Sequence, residues 1–270
     1  MRLIIPAAGA GIRLAGSTSD PFPKLLIPMH GRPLISHMLR IASSVGSFSD
    51  VVIILGPEYE KVAQTVREVA SSIKWKSSTT ITFLNNPRFL ETNNIYSLYL
   101  AREFLEGDVI LHDGDVLISP STFEKLLSDI RGDEALALID RTKPIPMEET
   151  KIKTQEDQIV EFGEHIQSEA AEGRYVGVCR FTFATSSMLR EEIESMINRR
   201  ELNVFYTKAV NYVASHAILK PVWTDKAPWL EIDTWDDLKA AGPAARQIIE
   251  AIKPEDHRIT AEVTVRSPQL

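Results

Sequence analysis

Two groups of residues could do chemistry. The first follows the apolar run Arg2-Leu3-Ile4-Ile5 and reads Pro6-Ala7-Ala8-Gly9-Ala10-Gly11-Ile12-Arg13-Leu14, with Phe22-Pro23-Lys24-Leu25-Leu26 shortly after it. Small side chains from Ala7 to Gly11 let backbone N–H groups close on a polyphosphate, because no bulky side chain intervenes. Arg13 and Lys24 follow at distances that let both cations turn back on the same anion. A Gly-rich loop alone also marks a tight strand-to-helix turn; the loop together with two cations is more specific. No Gly-Lys-Ser/Thr follows, so this is not a Walker A loop, and Leu14 stands where a dinucleotide fingerprint needs a third glycine.

The second group is acidic. Asp113-Gly114-Asp115 ends the apolar run Val109-Ile110-Leu111-His112, and Glu231 and Asp233 alternate in Trp229-Leu230-Glu231-Ile232-Asp233. Paired carboxylates suit Mg2+, which takes oxygen ligands in near-octahedral array and only one or two carboxylates from protein. Alternate strand residues share a face, so Glu231 and Asp233 can project together. Plainer readings stand beside these: Asp-Gly-Asp is common turn chemistry, and Asp233 could merely begin a helix capped by Thr234. Asp113-Gly114-Asp115 also mimics the Asp-x-Asp metal motif of glycosyltransferases, but then the Gly-rich loop and Pro23-Lys24 have no task.

The elements that must position these residues alternate. Arg2 to Ile5, Val51 to Leu55, Thr80 to Leu84 and Asp108 to His112 read as strands, with helices from Leu34 to Ser44, Glu58 to Ile73 and Asn93 to Phe104 between them. Strands apolar throughout, alternating with helices, imply an α/β fold with a parallel sheet covered on both faces. Ligands bind such sheets at the carboxyl ends of the strands. The Gly9 loop, Asn85-Asn86 and Asp113 to Asp115 all lie there. The second half is less regular: strands over Ala135 to Asp140, Lys151 to Thr154, Gln158 to Glu161 and Tyr175 to Phe183, helices near Ser187 to Asn198 and Phe205 to Val213, and a strand over Ala217 to Trp223. Thr234 caps a helix expected to run to Ile252, and a short Ile259 to Val265 stretch is left unassigned.

The N-terminal order Gly-x-Gly-x-Arg-Leu followed by Pro-Lys resembles the signature of nucleotidyltransferases that make NDP-sugars and CDP-alcohols. Ala15-Gly16-Ser17-Thr18 replaces the Pro-Leu-Thr usual there. Glu91-Thr92-Asn93-Asn94-Ile95-Tyr96-Ser97-Leu98-Tyr99 resembles bacterial phosphocholine cytidylyltransferases, and enzymes activating 2-aminoethylphosphonate share the pattern. Asparagine offers a donor and an acceptor, which suits a pyrimidine edge; a helix cap is the alternative. The resemblance covers residues 1 to 240. It implies a Rossmann-like three-layer αβα nucleotidyltransferase fold with a mixed, mostly parallel sheet, and a catalytic domain over residues 1–252 with a tail of unassigned role over 253–270.

The resemblance further implies transfer of CMP from CTP to a small phosphorylated or phosphonate acceptor, with release of pyrophosphate and dependence on Mg2+. By position, Asp115 and Asp233 are the metal ligands, and these two with Arg13 and Lys24 are the catalytic set. Ala7, Ala8, Gly9, Ala10, Gly11, Asn85, Asn93, Asn94, Ser97 and Asp113 fall to the nucleotide. Tyr175, Gly177, Tyr206, Trp229 and Glu231 fall to the acceptor, where rings and acids would hold an ammonium group; core packing is the alternative for each ring. A sugar-1-phosphate nucleotidyltransferase using another NTP, or a nucleotide-sensing domain without turnover, are the rival readings.

Composition sets outer bounds. At 270 residues with 44% hydrophobic and 25% charged residues, the chain suits one large soluble α/β domain. No apolar run reaches the ~20 residues of a membrane span, and no signal peptide precedes the first strand. The net charge of −7 argues against a nucleic-acid partner. The single cysteine, Cys179, cannot form an internal disulfide, so a cytoplasmic location is expected. The oligomeric state stays open.

Overall fold

The computed structural model describes residues 1–15, 20–128, 132–142, 144–252, 259–260 and 262–265. The Gly16-Ser17-Thr18 departure from the signature lies outside these residues. The first half runs β1 (Arg2–Ala7), α1 (Leu34–Val45), β2 (Asp50–Leu55), α2 (Tyr59–Ser72), β3 (Thr80–Asn85), α3 (Asn94–Leu100) and β4 (Val109–His112). It continues through β5 (Val116–Ile118), α4 (Pro120–Ser128), β6 (Ala135–Asp140), β7 (Lys151–Gln155), β8 (Gln158–Gly163) and β9 (Gly173–Phe181). Then come α5 (Phe183–Asn198), α6 (Thr207–His216), β10 (Leu219–Trp223), β11 (Trp229–Glu231), α7 (Trp235–Ala240), α8 (Gly242–Glu250) and β12 (Glu262–Val265).

Among the described residues the central sheet has ten strands and is mixed. Its spine, β4-β1-β2-β3-β12, is parallel throughout. On the other side β9 runs antiparallel to β4, β6 and β7, while β10 runs parallel to β6. Both faces are covered. Leu3 and Ile5 join one apolar cluster with residues of α1, α2, α4 and α8; Ile4 joins a second with residues of α3, α5 and α6. That split follows from the two-residue period of a strand. Helix α2 shows the complementary rule, burying Val62, Ala63, Val66 and Ala70 at three- and four-residue spacing. Cys179 is buried in β9, where burial pushes its thiol pKa well above the ordinary value.

The chain leaves β1 toward β2 and later returns to place β4 on the opposite flank of β1. Connections therefore diverge between β1 and β4, which is where a doubly wound sheet opens a crevice at its carboxyl edge. Two elements depart from the sequence reading. The helix expected from Thr234 to Ile252 is two helices meeting at Ala241, with Pro243 in the first turn of the second; proline supplies no N–H and tolerates only a helix start. The unassigned C-terminal stretch contributes β12, parallel to β3 at the sheet edge. Among the described residues, no helix is long and apolar enough to cross a membrane.

Candidate active site

A cavity of about 570 Å³ opens at the carboxyl edge of β1 and β4. One side is the loop after β1, where Ala7, Ala8, Gly9 and Ala10 line the wall. Gly11 does not line it, but it makes the loop possible. Its φ is +61°, and a Cβ there would lie 2.1 Å from the Phe22 carbonyl oxygen. Phe22 N in turn donates to Ala10 O at 2.7 Å, fastening the loop to the segment that delivers Lys24. Gly11→Ala is expected to destabilise the protein by ~1–3 kcal/mol, the range for a strained left-handed residue, measured by urea unfolding.

Three remote segments meet opposite that loop. Lys24 Nζ donates to Asp115 Oδ2 at 2.7 Å and also to Asp233 Oδ1. Arg13 pairs with Asp233 Oδ2 at 2.9 Å. Antiparallel pairing of β5 with β11 sets Glu231 opposite Val116, and Ile232 N donates to Asp115 O at 3.0 Å. This pairing brings Asp115 and Asp233 to one place. Asp237 Oδ2 accepts from Asp233 N at 3.1 Å and Thr234 N at 2.8 Å, so the capping box of α7 also orients the acid before it. Trp235 Nε1 donates to Leu14 O at 2.8 Å, and its ring stands edge-on to Phe22 at 5.9 Å.

The electrostatics are those of crowded acids around one ammonium. Burial alone lowers the Lys24 pKa, but Asp115 and Asp233 outweigh it, so the group stays charged. Burial, with Asp115, Glu149, Asp233 and Asp113 nearby, pushes the Glu231 carboxyl up to about 8. Burial and then Asp115 hold Asp113 well above the carboxylate range. Its Oδ1 accepts from Tyr206 OH at 3.0 Å, and Tyr206 OH lies 2.8 Å from Tyr175 OH. Gly177, at φ +88°, leaves room for this carboxyl: a Cβ there would stand 2.9 Å from Asp113 Oδ2. Wholly buried His112 is depressed to about 4, mainly by desolvation, and its neutral ring donates from Nδ1 to Asp113 O at 2.9 Å.

Carboxylate oxygens of Asp115, Glu231 and Asp233 lie within 4.8 Å of one another. This all-oxygen set fits a hard divalent ion, and the Lys24 ammonium between two of the three shows where positive charge is drawn. Glu231, expected beside the acceptor rather than among the metal ligands, thus joins the metal-competent group.

Asn93, Asn94 and Ser97 line the cavity at the start of α3. Asn93 Oδ1 caps the helix at Asn94 N, and Asn94 Oδ1 accepts from Tyr206 N, each at 2.8 Å. Both asparagines are therefore structural through their oxygens while lining the cavity. Besides Gly11, two expected residues lie outside the lining. Asn85 is the last residue of β3 and does not line the cavity; Asn86 does, donating to Thr92 Oγ1 and Ser97 Oγ. The sequence flagged the pair, and one residue of strand phase decides between them. Trp229 points away: its Nε1 donates to Asp140 Oδ2 at 3.1 Å, beneath the Arg174 guanidinium. Tyr175, Gly177, Tyr206 and Glu231 do line the cavity.

Sequence reasoning did not single out Glu148, Glu149, Thr150, Glu164 or Phe205, which also form the wall. Glu148-Glu149 just before a strand was the available signal, but the connection from β6 carries no motif to aim it.

Comparison with known proteins follows the same geometry. Residues 3–215 match the family described as MobA-like NTP transferase domain. A CMP-5'-(3-aminopropyl)phosphonate synthase of Streptomyces rubellomurinus is 34% identical over 160 residues, 59% of this chain and 24% of that protein. A choline-phosphate cytidylyltransferase of Streptococcus pneumoniae is 30% identical over 128 residues, 47% of this chain and 50% of that one. The chain thus spans a quarter to a half of these relatives' length. The inositol-1-phosphate CTP transferase structure from T. maritima superposes with a TM-score of 0.74 at 22% identity, over 94% of this chain and 98% of the other, a likeness of fold.

Proposed function

The chain belongs to the MobA-like NTP transferase domain family, and we propose that it transfers CMP from CTP to a small acceptor bearing a phosphate or phosphonate and an ammonium group. The observation that carries this reading is the meeting of Arg13, Lys24, Asp115 and Asp233 at the mouth of the small-residue loop. The relatives named for a CMP-aminophosphonate and for choline phosphate support CTP and a cationic acceptor. So do the acids Glu148, Glu149 and Glu164 near Tyr175 and Phe205, since carboxylates and ring faces both attract an ammonium.

In this reaction an acceptor oxygen attacks the α-phosphorus of CTP, the bond between the α-phosphorus and the bridging oxygen breaks, and pyrophosphate leaves with the electron pair. The attacking oxygen is already anionic, so no general base is required, and catalysis is positioning with charge neutralisation. The amides of Ala8 to Ala10 and the guanidinium of Arg13 receive the β- and γ-phosphates. Lys24 turns to the α-phosphate, where negative charge grows. Asp115, Asp233 and Glu231 would hold Mg2+, which when bound supplies Lewis-acid neutralisation of phosphate oxygens. Asn86, Asn93, Asn94 and Ser97 bound the side given to the base, and amide N–H groups suit the accepting edge of a pyrimidine.

Pyrophosphate release across the four ribonucleoside triphosphates, each with phosphocholine, aminoalkylphosphonates, phosphorylated polyols and sugar 1-phosphates, tests this. The expected outcome is at least about tenfold preference for CTP, with turnover confined to acceptors carrying an ammonium group. Preference for another nucleotide with a sugar 1-phosphate, or CTP binding without turnover, would overturn it.

A further inference from the structure

We propose that Lys151 and Arg174 are positioning residues for the acceptor, fixing the segment 147–150 as one wall of the cavity; this rests on the acceptor reading above. Lys151 opens β7 with its side chain 0% exposed. Its ammonium donates to two carbonyl oxygens of the preceding loop, Met147 O at 2.6 Å and Glu149 O at 2.7 Å. Burying an ammonium is costly unless it is well bonded, and here the bonds run to backbone that would otherwise be free to shift. Charge-assisted bonds of this kind are about twice as strong as neutral ones.

Arg174 holds the same segment by a side chain. Its Nη1 donates to Glu149 Oε1 at 2.9 Å, while its guanidinium lies 4.4 Å from the Trp229 ring centroid. Trp229 is bonded to Asp140, whose Oδ1 accepts from Thr142 N at 2.8 Å. The connection between β6 and β7 is therefore tied at its start by Asp140 and at its end by Lys151 and Arg174. Tyr175 N donating to Thr150 O at 2.8 Å completes the attachment. The residues so held, Glu148, Glu149 and Thr150, line the cavity, whereas the wall assigned to CTP comes from the β1 loop and α3. Loosening one wall should leave the other in place.

The test uses the full chain with Lys151→Met, which keeps the stem and removes the donors, and Arg174→Gln. Acceptor KM is expected to rise about tenfold or more in each, while the Kd for CTP, measured by calorimetry without acceptor, stays within about twofold. Lys151→Arg, which keeps the donors, should recover most of the loss. Hydrogen exchange of amides 147–150 should accelerate in Lys151→Met more than elsewhere in the chain, a readout that needs no turnover. Acceptor KM and CTP Kd moving together, neither moving, or unchanged exchange at 147–150 would overturn the proposal. If Lys151→Met does not fold, Arg174→Gln decides by the same measurements. Wild-type protein that releases no pyrophosphate with any acceptor refutes the proposed function instead, and the exchange result still judges the wall.

Discussion

Asp233→Ala is expected to lower kcat by roughly 10³-fold or more, and Asp115→Ala to do the same, while both proteins stay folded. The expectation follows from what each carboxylate touches. Asp233 takes Arg13 on one oxygen and Lys24 on the other, and Asp115 takes Lys24 at 2.7 Å. With Glu231 they form the described oxygen set that fits a divalent ion. Removing either would take one oxygen ligand from the divalent ion that the set could hold, and takes one of the two acids that pair with Lys24. Neither change cuts a buried apolar contact, and water can reach the partly exposed positions of both carboxylates, so the fold should persist. Because the two acids act on one centre, the double variant should be barely slower than either single one. Pyrophosphate release over a Mg2+ titration, with circular dichroism as the check on folding, measures this. Near-normal turnover of either single variant would remove the acids from the mechanism.

Lys24→Met should cut kcat by about 10²- to 10³-fold, the size of effect seen when a preorganised donor to transition-state charge is removed, with CTP KM within about threefold. The split arises because the ammonium is expected to interact most strongly when charge accumulates at the α-phosphate. A second consequence concerns Mg2+. In the free protein the ammonium stands between Asp115 and Asp233 and competes for the same oxygens. Without it the acids face one another, so Lys24→Met should melt lower than wild type in chelator and gain more in Tm from added Mg2+. A raised CTP KM with unchanged kcat, or equal Mg2+ shifts in both proteins, would refute the role.

Much of this site was legible because it sits directly after strands. Arg13 and Lys24 follow the loop that ends β1, Asp115 follows β4, and Asp233 follows β11, so their places at strand ends drew attention to them and the family resemblance gave them roles. Their meeting point was not local: it depends on β5 pairing with β11, an antiparallel register no motif announces. The strand β5 and the helix α4 had no clear signal beside the stronger acidic turn. Trp229 illustrates the opposite failure. Its place two residues before Glu231 suggested a shared pocket, yet the indole N–H finds buried Asp140 instead, so a buried acid from another strand takes the ring. Glu148 and Glu149 escaped notice because their direction is set by Lys151 and Arg174, from strands that follow them in the chain.

The indole of Trp235 has a mechanical meaning. It latches the Gly-rich loop, through Leu14, to the helix that starts two residues after Asp233, and leans on Phe22 two residues before Lys24. The loop, the ammonium and the acid are thereby yoked through one side chain. Any opening of the cleft that parts the loop from Asp233 must break the bond from Trp235 Nε1 to Leu14 O.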